Sequence, residues 1–272
     1  MKINNEKVVV ILANPTEAKV PDPSSGGAYS VIDCDADNTG GSATKGIQDT
    51  VDAAAYHPHS IVYVPSGLCT IGNLLIRVRT PLYLAGGSVL GFTGDSSDYT
   101  TLYTKSDIGL GTWWIQTEFN STDIKVYARG TIDGNSYNTH SAKFMADLLV
   151  TVGRKNFSCD GVLVRGSSFW AVRPIQVEDA LFTNLKILDP HDVTQDDGTD
   201  VDESQRLTVR RAIAIANDDS FSTKTWPYKV DTTAPYLYSP RPLEGVLFDS
   251  CLAWTDCYGY KVGQGDYKAK TM

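Results

Sequence analysis

Four segments of the chain share one pattern of apolar and polar positions, and this repetition restricts the possible folds more than any other feature. In each nine-residue segment, the second, fourth, seventh and ninth residues are apolar or small. The segments are NFSCDGVLV, DALFTNLKI, RLTVRRAIA and GVLFDSCLA, which begin at Asn156, Asp179, Arg206 and Gly245. Their first apolar residues lie 23, 27 and 39 positions apart. A strand, a bend and a second strand, repeated at variable spacing, are what the coils of a parallel β-helix require.

The remainder of the chain favours the same architecture. From Ser60 onward, short β-rich runs are separated by Gly, Asn, Asp and Pro, without helical patterns between them. A β-sandwich would reverse direction at each turn and would not need repeats in register. The stretch from Thr44 to Ala55 is different, because Ile47, Val51 and Ala54 would lie on one face of an amphipathic helix. Such a helix would cover the open end of a solenoid.

We therefore predict an all-β fold, a single-stranded right-handed parallel β-helix with an N-terminal capping helix. This domain would occupy residues 28–272. Residues 1–27 would form an N-terminal β-segment and linker, with a strand from Lys7 to Ala13 and a Pro-, Ser- and Gly-rich linker from Pro21 to Gly27.

Charge and cysteine content exclude several kinds of protein. The 24 basic and 32 acidic residues give a net charge of −8, which disfavours nucleic acid and anionic membranes as partners. No run of 18 apolar residues occurs, so the sequence predicts no membrane span. The five cysteines are widely spaced without a CxxC pair, and the four histidines are scattered, so no zinc site is expected. Cys251 and Cys257 could form a disulfide or remain free thiols.

The densest group of polar residues lies within the repeats. It contains the run QDDGTDVD from Gln195 and the run NDD from Asn217. Asp197 and Asp218 are 21 residues apart, close to one coil, so they would lie on one face about 4.8 Å apart along the solenoid. Crowded carboxylates raise the pKa of at least one of them, which yields the acid and base that glycosidic cleavage requires. Acidic turns also serve as structural turns or as calcium ligands, and those interpretations remain open.

The residues between Gly166 and Thr225 resemble glycoside hydrolase family 28, the polygalacturonases. The family motif Asn-Thr-Asp-Gly-x-Asp is matched at Asp197, Gly198 and Asp200, and its Gly-Asp-Asp is matched by Asn217-Asp218-Asp219. PLYLAGGSVLGF and VYARGTIDGN resemble the opening coils of the same enzymes, so the resemblance extends over roughly residues 28 to 265. Family 49 dextranases and related α-glucanases share the right-handed β-helix.

The resemblance implies catalysis by Asp197, Asp218 and Asp219 without a metal or organic cofactor. Asp197 and one member of the Asp218–Asp219 pair would activate water, and the other member, by the family pattern Asp219, would protonate the leaving oxygen. The family histidine corresponds to Tyr260 here, within Gly259-Tyr260-Lys261. An Arg-x-Lys motif for a uronate carboxylate is not found before Met272, so a dextranase-like activity stays open and C-terminal coils are expected to be missing.

Further residues are candidates for binding substrate. Asp200 belongs to the matched motif, and Tyr260 and Lys261 lie at the position of the family histidine. Lys224 follows Asp219 on the same predicted coil, and Trp170 and Arg173 would line the sugar path by stacking and hydrogen bonding.

The sequence thus predicts a monomeric inverting glycoside hydrolase acting on a polysaccharide, with no nucleic-acid or membrane partner. The substrate class implies an extracellular or periplasmic location. A polysaccharide lyase on the same fold is an alternative, although it needs calcium and a basic residue that abstracts a proton. A non-catalytic carbohydrate-binding β-helix, such as an adhesin or tailspike, is the second alternative.

Overall fold

The computed structural model describes residues 12–34, 36–37, 39–93, 95–105, 109–141, 143–189, 193–226, 231–263 and 269–271. Over these residues the chain forms successive coils of parallel strands, arranged in an eight-stranded and a sixteen-stranded sheet. The larger sheet bends into two faces, because the long strand β15 (Val172–Thr183) pairs with different strands through its two halves. The predicted right-handed parallel β-helix is confirmed.

One face of the larger sheet carries the candidate site and is called the site face. Besides the first half of β15, it contains β5 (Leu74–Ile76), β9 (Gly109–Thr117), β12 (Phe144–Lys155), β17 (Thr199–Asp202), β20 (Phe221–Lys224) and β23 (Tyr260–Val262). One further strand, β8 (Tyr103–Lys105), pairs antiparallel with β9 and lies outside the regular coils.

The other face is called the tyrosine face, after a row of tyrosines on its outer side. Besides the second half of β15, it contains β1 (Ala28–Ser30), β3 (Ile61–Val64), β6 (Pro81–Leu84), β10 (Lys125–Ala128), β13 (Ser158–Asp160), β18 (Gln205–Arg210), β21 (Leu243–Asp249) and β24 (Ala269–Thr271). The eight-stranded sheet contains β2 (Thr39–Ser42), β4 (Gly67–Ile71), β7 (Ser88–Phe92), β11 (Thr131–Asp133), β14 (Leu163–Arg165), β16 (Lys186–Leu188), β19 (Ile213–Ile215) and β22 (Leu252–Trp254).

The repeated apolar positions stack in register from coil to coil, as the sequence pattern predicts. On the tyrosine face, the inward residues at one level are Cys159, Phe182, Val209 and Phe248. In the eight-stranded sheet, the corresponding residues are Val164, Ile187, Ala214 and Ala253. Because each side chain packs on its equivalent in the next coil, the core is a set of parallel stacks inside the solenoid.

The first residue of each repeated segment also has a common backbone conformation. Asn156, Asp179, Arg206 and Gly245 have φ angles of 65°, 57°, 53° and 65°. These left-handed values are uncommon for residues other than glycine, with Asn and Asp enriched among the exceptions. The four residues mark the corner where the chain passes from the site face to the tyrosine face, and this turn gives the coils their common shape.

The helix α1 (Thr44–Ala55) covers the N-terminal end of the solenoid, as predicted. Its inward face contains Ile47, Val51 and Ala54, which are buried against the first coils. A second, short helix, α2 (Ser136–Ser141), was not anticipated, because its polar sequence has no apolar period. Short 3-10 helices occupy Val31–Cys34, Ser96–Asp98 and Asp231–Thr233.

The N-terminal residues bear on two predictions. Most of the predicted strand from Lys7 to Ala13 lies outside the described residues, and Leu12 and Ala13 are in irregular structure. Residues 12–27, called the strap, run across the tyrosine face before β1 begins.

Cys251 and Cys257 are free thiols, as are Cys69 and Cys159. Among the described helices, none has the length and apolar character needed to cross a membrane.

Candidate active site

The parallel register brings the predicted aspartates together on the site face. The Gly198 amide donates to the Asp219 carbonyl at 2.8 Å, and the Ala171 amide donates to the Asp197 carbonyl at 2.8 Å. Trp170, Asp197 and Asp219 therefore occupy equivalent positions on three successive coils, two residues before β15, β17 and β20. Since adjacent strands are about 4.8 Å apart, the side chains of Asp197 and Asp219 leave the backbone as direct neighbours.

These side chains open into a small cleft with a volume of about 60 Å³. Its lining is polar and combines three acidic side chains with three lysines. The lining residues are Lys105, Trp170, Gln195, Asp197, Asp218, Asp219, Lys224 and Lys261. Six of the nine residues predicted for the site thus line one cleft, and the remaining three, Asp200, Arg173 and Tyr260, do not.

Lys224 connects the acidic residues at the floor of the cleft. Its Nζ atom donates to Oδ2 of Asp197 at 2.9 Å and to Oγ of Ser222 at 3.1 Å, and it also contacts the carboxylate of Asp200. The same nitrogen lies 4.0 Å from the centroid of the Trp170 ring. Because Lys224 is almost completely buried, these contacts fix both its position and that of the Asp197 carboxyl group.

A second lysine holds the next aspartate. Lys261 on β23 donates from Nζ to Oδ2 of Asp219 at 2.6 Å, whereas Oδ1 of Asp219 is buried without a hydrogen-bond partner among the described residues. Asp218 is half-buried at the cleft wall. One ligand atom from each of Asp218, Asp219 and Cys257 lies within 4.8 Å of the other two.

Burial raises the pKa of the Asp197 carboxyl group well above its ordinary value. The charge of Asp200 raises it further, whereas Lys224 lowers it. A count of the buried charges supports this direction. Four carboxyl groups, those of Asp147, Asp197, Asp200 and Asp202, share only two buried cations, Arg173 and Lys224. Because the carboxyl groups outnumber the cations, the protonated, uncharged form of one carboxyl group is favoured.

Arg173 does not contact the cleft, and the prediction that it binds substrate is corrected. Its side chain is completely buried beneath the site. The guanidinium donates to Asp202 at 2.8 and 2.9 Å, to Asp147 at 2.9 Å and to the hydroxyl of Tyr236 at 3.0 Å. It also lies 4.2 Å from the ring centroid of Trp170. Arg173 therefore supports the ring and the floor of the cleft from below.

Tyr260 and Asp200 also differ from their predicted positions. Side chains alternate along a strand, so Lys261 points outward into the cleft and Tyr260 points into the solenoid. The Tyr260 ring stacks on Phe221 at 5.4 Å and its hydroxyl donates to the Cys251 carbonyl at 2.9 Å. Asp200 is fully buried and contacts Lys224 and Ser222. Neither side chain lines the cleft, although Tyr260 is 52% exposed, and Asp200 contacts Lys224 from below.

Two important residues carry no signal in the repeat pattern. Lys105 enters the cleft from the antiparallel strand β8, where it contacts the side chain of Gln195, and burial lowers its pKa. Tyr236 belongs to the insertion between β20 and β21, and its hydroxyl contacts Asp202 beneath the cleft. Both residues come from segments that leave the regular coils, so a periodic pattern could not have located them.

The cleft is closed on one side. On the coils that precede Asp197, the outward residues Trp113 and Asp147 are only 1% and 0% exposed. They are covered by β8 and by the insertion, whose Tyr236 ring lies 6.2 Å from the Trp113 ring. On the opposite side, Tyr258 is 57% exposed. Among the described residues, the cleft is therefore covered toward the preceding coils and exposed toward β23.

Comparison with known proteins gives a result for the fold alone. No protein-family profile and no curated sequence matches the chain. Among solved structures, it is similar to a family 28 exopolygalacturonase of Yersinia enterocolitica, with a TM-score of 0.72 at 16% identity over 88% of this chain and 50% of that chain. The polygalacturonase of Erwinia carotovora gives 0.67 at 15% identity, over 95% and 72%. The chain has their right-handed parallel β-helix fold.

This β-helix fold is also present in proteins with other roles. PfbA, a surface adhesin of Streptococcus pneumoniae, matches with a TM-score of 0.60 at 16% identity, over 86% of this chain and 62% of that chain. The chain spans half the length of the Yersinia protein. Function must therefore be argued from the cleft of this β-helix.

Gly198 is required for the close approach of the coils that carry Asp197 and Asp219. A Cβ atom at this position would lie 2.4 Å from the Ser220 carbonyl oxygen, a backbone atom that cannot move without separating β17 from β20. We expect Gly198→Ala to lower the free energy of unfolding by about 1–3 kcal/mol, measured by urea unfolding. Gly86→Ala is the control, since nothing lies within 4 Å of its Cβ position. Equal stability of the two variants would contradict this account.

Two buried carboxyl groups lie behind the acidic loop. Burial raises the pKa of Asp189 to about 7, and burial together with the charge of Asp189 raises that of Asp196 to about 8. Asp196 accepts hydrogen bonds at 3.1 Å from the amides of Asn217 and Asp218, and so holds the loop that carries Asp218. Asp189 accepts from the Ser167 amide at 2.7 Å.

These raised pKa values predict how stability depends on pH. Between about pH 4 and pH 7, the unfolded chain releases the Asp189 proton while the folded chain retains it, so the free energy of unfolding falls as pH rises. An asparagine side chain at this position would not titrate. We expect Asp189→Asn to gain roughly 1–3 kcal/mol relative to the wild type between about pH 5 and pH 8, measured by urea unfolding. Parallel pH dependence in the two proteins would show that Asp189 is ionised throughout.

Proposed function

We propose that the chain is an inverting glycoside hydrolase that cleaves a polysaccharide with Asp197, Asp218 and Asp219. The observation that carries this proposal is the presence of all three carboxyl groups in one cleft, supplied by consecutive coils. The similarity of the fold to polygalacturonases supports it. The chemistry requires no metal or organic cofactor.

The contacts of each aspartate suggest its role. Lys261 forms an ion pair with Asp219 at 2.6 Å, a contact that suits a base. Asp218 forms no ion pair with a described residue, and we propose Asp218, rather than Asp219 as the family pattern implies, as the proton donor. Asp218 would protonate the glycosidic oxygen as its bond to the anomeric carbon breaks. A water molecule, deprotonated by Asp219 and oriented by Asp197, would attack that carbon from the opposite face and invert its configuration. Because one oxygen of Asp218 and one of Asp219 lie within 4.8 Å of each other, closer than the roughly 6.5–9.5 Å usual for inverting pairs, the two carboxyl groups would have to separate to admit this water.

The three lysines of the cleft favour an acidic sugar as substrate. Lys105, Lys224 and Lys261 come from three separate strands and converge on a cleft in a chain of net charge −8. Lys224 and Lys261 pair with aspartates, whereas Lys105 contacts the neutral Gln195. A uronate carboxylate would find in Lys105 a cation that no described carboxylate pairs. We therefore propose a polygalacturonate-type polymer in preference to a neutral α-glucan.

The closed side of the cleft predicts cleavage at chain ends. The described residues that cover Trp113 and Asp147 would block a polymer that continued over the preceding coils. We expect mono- or disaccharides to be the first products, with little loss of viscosity, measured by chromatography of early time points. An early ladder of many oligomer lengths would show that internal bonds are cut. The endo-acting alternative would require β8 and the insertion to move aside.

The experiment that tests the proposed function measures reducing ends and anomeric configuration of the products. Polygalacturonate, dextran, pullulan and α-1,3-glucan are incubated with the protein, and products of the cleaved polymer are followed by proton NMR. Release with inversion is the expected result. Unsaturated products, which absorb ultraviolet light, would indicate a lyase instead. Binding without release would indicate a carbohydrate-binding β-helix and overturn the hydrolase.

A further inference from the structure

A long groove lies on the tyrosine face, away from the catalytic cleft. The strap crosses this face and is attached at a few points only. The Asn14 side chain donates to the Gly161 carbonyl at 2.8 Å, Arg129 donates to the Pro15 carbonyl at 2.7 Å, and the Tyr83 hydroxyl donates to Glu17 at 3.1 Å. Between these attachments and the sheet, the groove has a volume of about 880 Å³.

The shape of the groove suits a linear polymer. It extends from Ile61 on β3 to Arg211 after β18, which crosses five strand intervals of the tyrosine face. At about 4.8 Å for each interval, its length is roughly 24 Å. Pockets for compact ligands occupy about 300–1,000 Å³, so the volume is ample for several units of a narrow chain.

The groove is positively charged in an acidic protein. Lys19, Lys125, Arg129 and Arg211 line it, against the two acidic residues Glu17 and Asp160. The acidic residues already accept hydrogen bonds, Glu17 from Tyr83 and Asp160 from the side chains of Thr183 and Asn184 at 2.7 and 2.6 Å. Asp160 also pairs with Arg129 at 3.8 Å, which leaves Lys19, Lys125 and Arg211 as the cations that form no ion pair with a described residue. The surplus of two positive charges contrasts with the net charge of −8 for the chain.

The remaining lining matches the surface of a sugar. Tyr127 supplies a partly exposed aromatic ring, with the ammonium group of Lys125 at 4.0 Å from its centroid, and Leu181 supplies an apolar surface that is 42% exposed. Ser158 and Thr183 add hydroxyl groups. Aromatic and aliphatic surfaces pack against sugar rings, hydroxyl groups pair with sugar hydroxyls, and ammonium and guanidinium groups pair with carboxylates.

We propose that this groove is a second binding site, which holds a linear acidic oligosaccharide of the uronate class. The choice of ligand class rests on the proposed function, whereas the groove itself is a separate feature of the structure. Because the tyrosine face and the site face are different sides of the same coils, both sites can be filled at once. A polymer bound in the groove would keep the enzyme on its substrate between cleavage events.

The test is the binding of hexagalacturonate by isothermal titration calorimetry, with maltohexaose as the neutral ligand of equal length. Asp219→Asn is the background, so that the ligand is not consumed. We expect two hexagalacturonate molecules for each chain, and no binding of maltohexaose to the groove. Adding Lys125→Glu and Arg211→Glu should weaken the groove site at least tenfold and leave the cleft site unchanged. Adding Lys45→Glu and Lys155→Glu instead, which alters the charge equally at exposed lysines elsewhere, should leave both sites within twofold.

The outcomes separate this inference from the proposed function. A single bound hexasaccharide, or equal binding by the groove and control variants, would overturn the groove site, even if polygalacturonate is hydrolysed. Two-site binding by a chain that hydrolyses no polymer would support the groove and overturn the hydrolase. A preference for single-stranded DNA or polyglutamate over hexagalacturonate at the groove would overturn the assigned ligand class.

Discussion

Replacing Asp219 by asparagine will lower kcat on the cleaved polymer by roughly 10²- to 10⁴-fold, the usual contribution of a positioned general base. Asparagine has nearly the shape of aspartate and can still accept the hydrogen bond from Lys261, which is 2.6 Å long in the wild type. It cannot accept a proton from the attacking water. The measurement is release of reducing ends at saturating substrate, with circular dichroism to confirm that the variant is folded.

Asp98→Asn is the matched control, because it also exchanges a carboxylate for an amide. Asp98 is exposed in a 3-10 helix that lies outside the cleft. We expect its kcat to stay within twofold of the wild type. If Asp219→Asn and Asp98→Asn were equally active, Asp219 would not be the base, and the assignment of the cleft as the active site would be wrong.

Replacing Arg173 by methionine will produce the largest loss of stability among single ion-pair substitutions on the site face. The guanidinium is completely buried and pairs with Asp147 and Asp202, whose carboxyl groups would then be buried without a cation. Removing one partner of such a pair typically costs about 3–5 kcal/mol. Urea unfolding measures the effect, and the double variant Arg173→Met/Asp202→Asn should recover part of it because one uncompensated charge is removed.

A surface ion pair provides the comparison. Arg165 pairs with Asp133 at 2.6 Å, but its side chain is 50% exposed. Exposed pairs contribute about 0–1 kcal/mol, so Arg165→Met should have a small effect. If the two substitutions were equally mild, the Arg173 cluster would be hydrated in solution and would not hold the floor of the cleft.

The sequence predicted those features that depend on repetition. The apolar stacks through Phe182 and Ile187 follow directly from the pattern. The same period placed Asp197 beside Asp218, whereas the register of the strands pairs Asp197 with Asp219, one residue further along. The sequence was less successful in predicting on which side of a strand a polar side chain lies. Whether a polar residue faces inward, outward or into a buried cluster depends on what covers the strand, and the cover over Arg173 comes from Tyr236, 63 residues away.

The insertions explain the residues that could not be predicted. Lys105 and Tyr236 belong to segments with no counterpart in other coils, so no repeat relates them to the site. Tyr260 was expected in the cleft because of its place in a motif, whereas strand alternation puts it on the side of Phe221, where it is 52% exposed, and leaves Lys261 on the side of the cleft. A motif aligned by residue type alone does not distinguish the two sides of a strand.

The ladder register allows only discrete separations between side chains on neighbouring coils. Asp197 and Asp219 are separated by one strand interval, and hydrogen bonds such as that from Gly198 to Asp219 fix that interval. Insertions in the turns lengthen a coil without changing the interval between neighbouring strands. A new separation between Asp197, the proposed water-orienting residue, and Asp219, the proposed base, therefore requires moving a carboxyl group by a whole coil, about 4.8 Å, or to another position along its strand. Proteins of this kind can vary their loops freely while the reaction geometry changes only in steps.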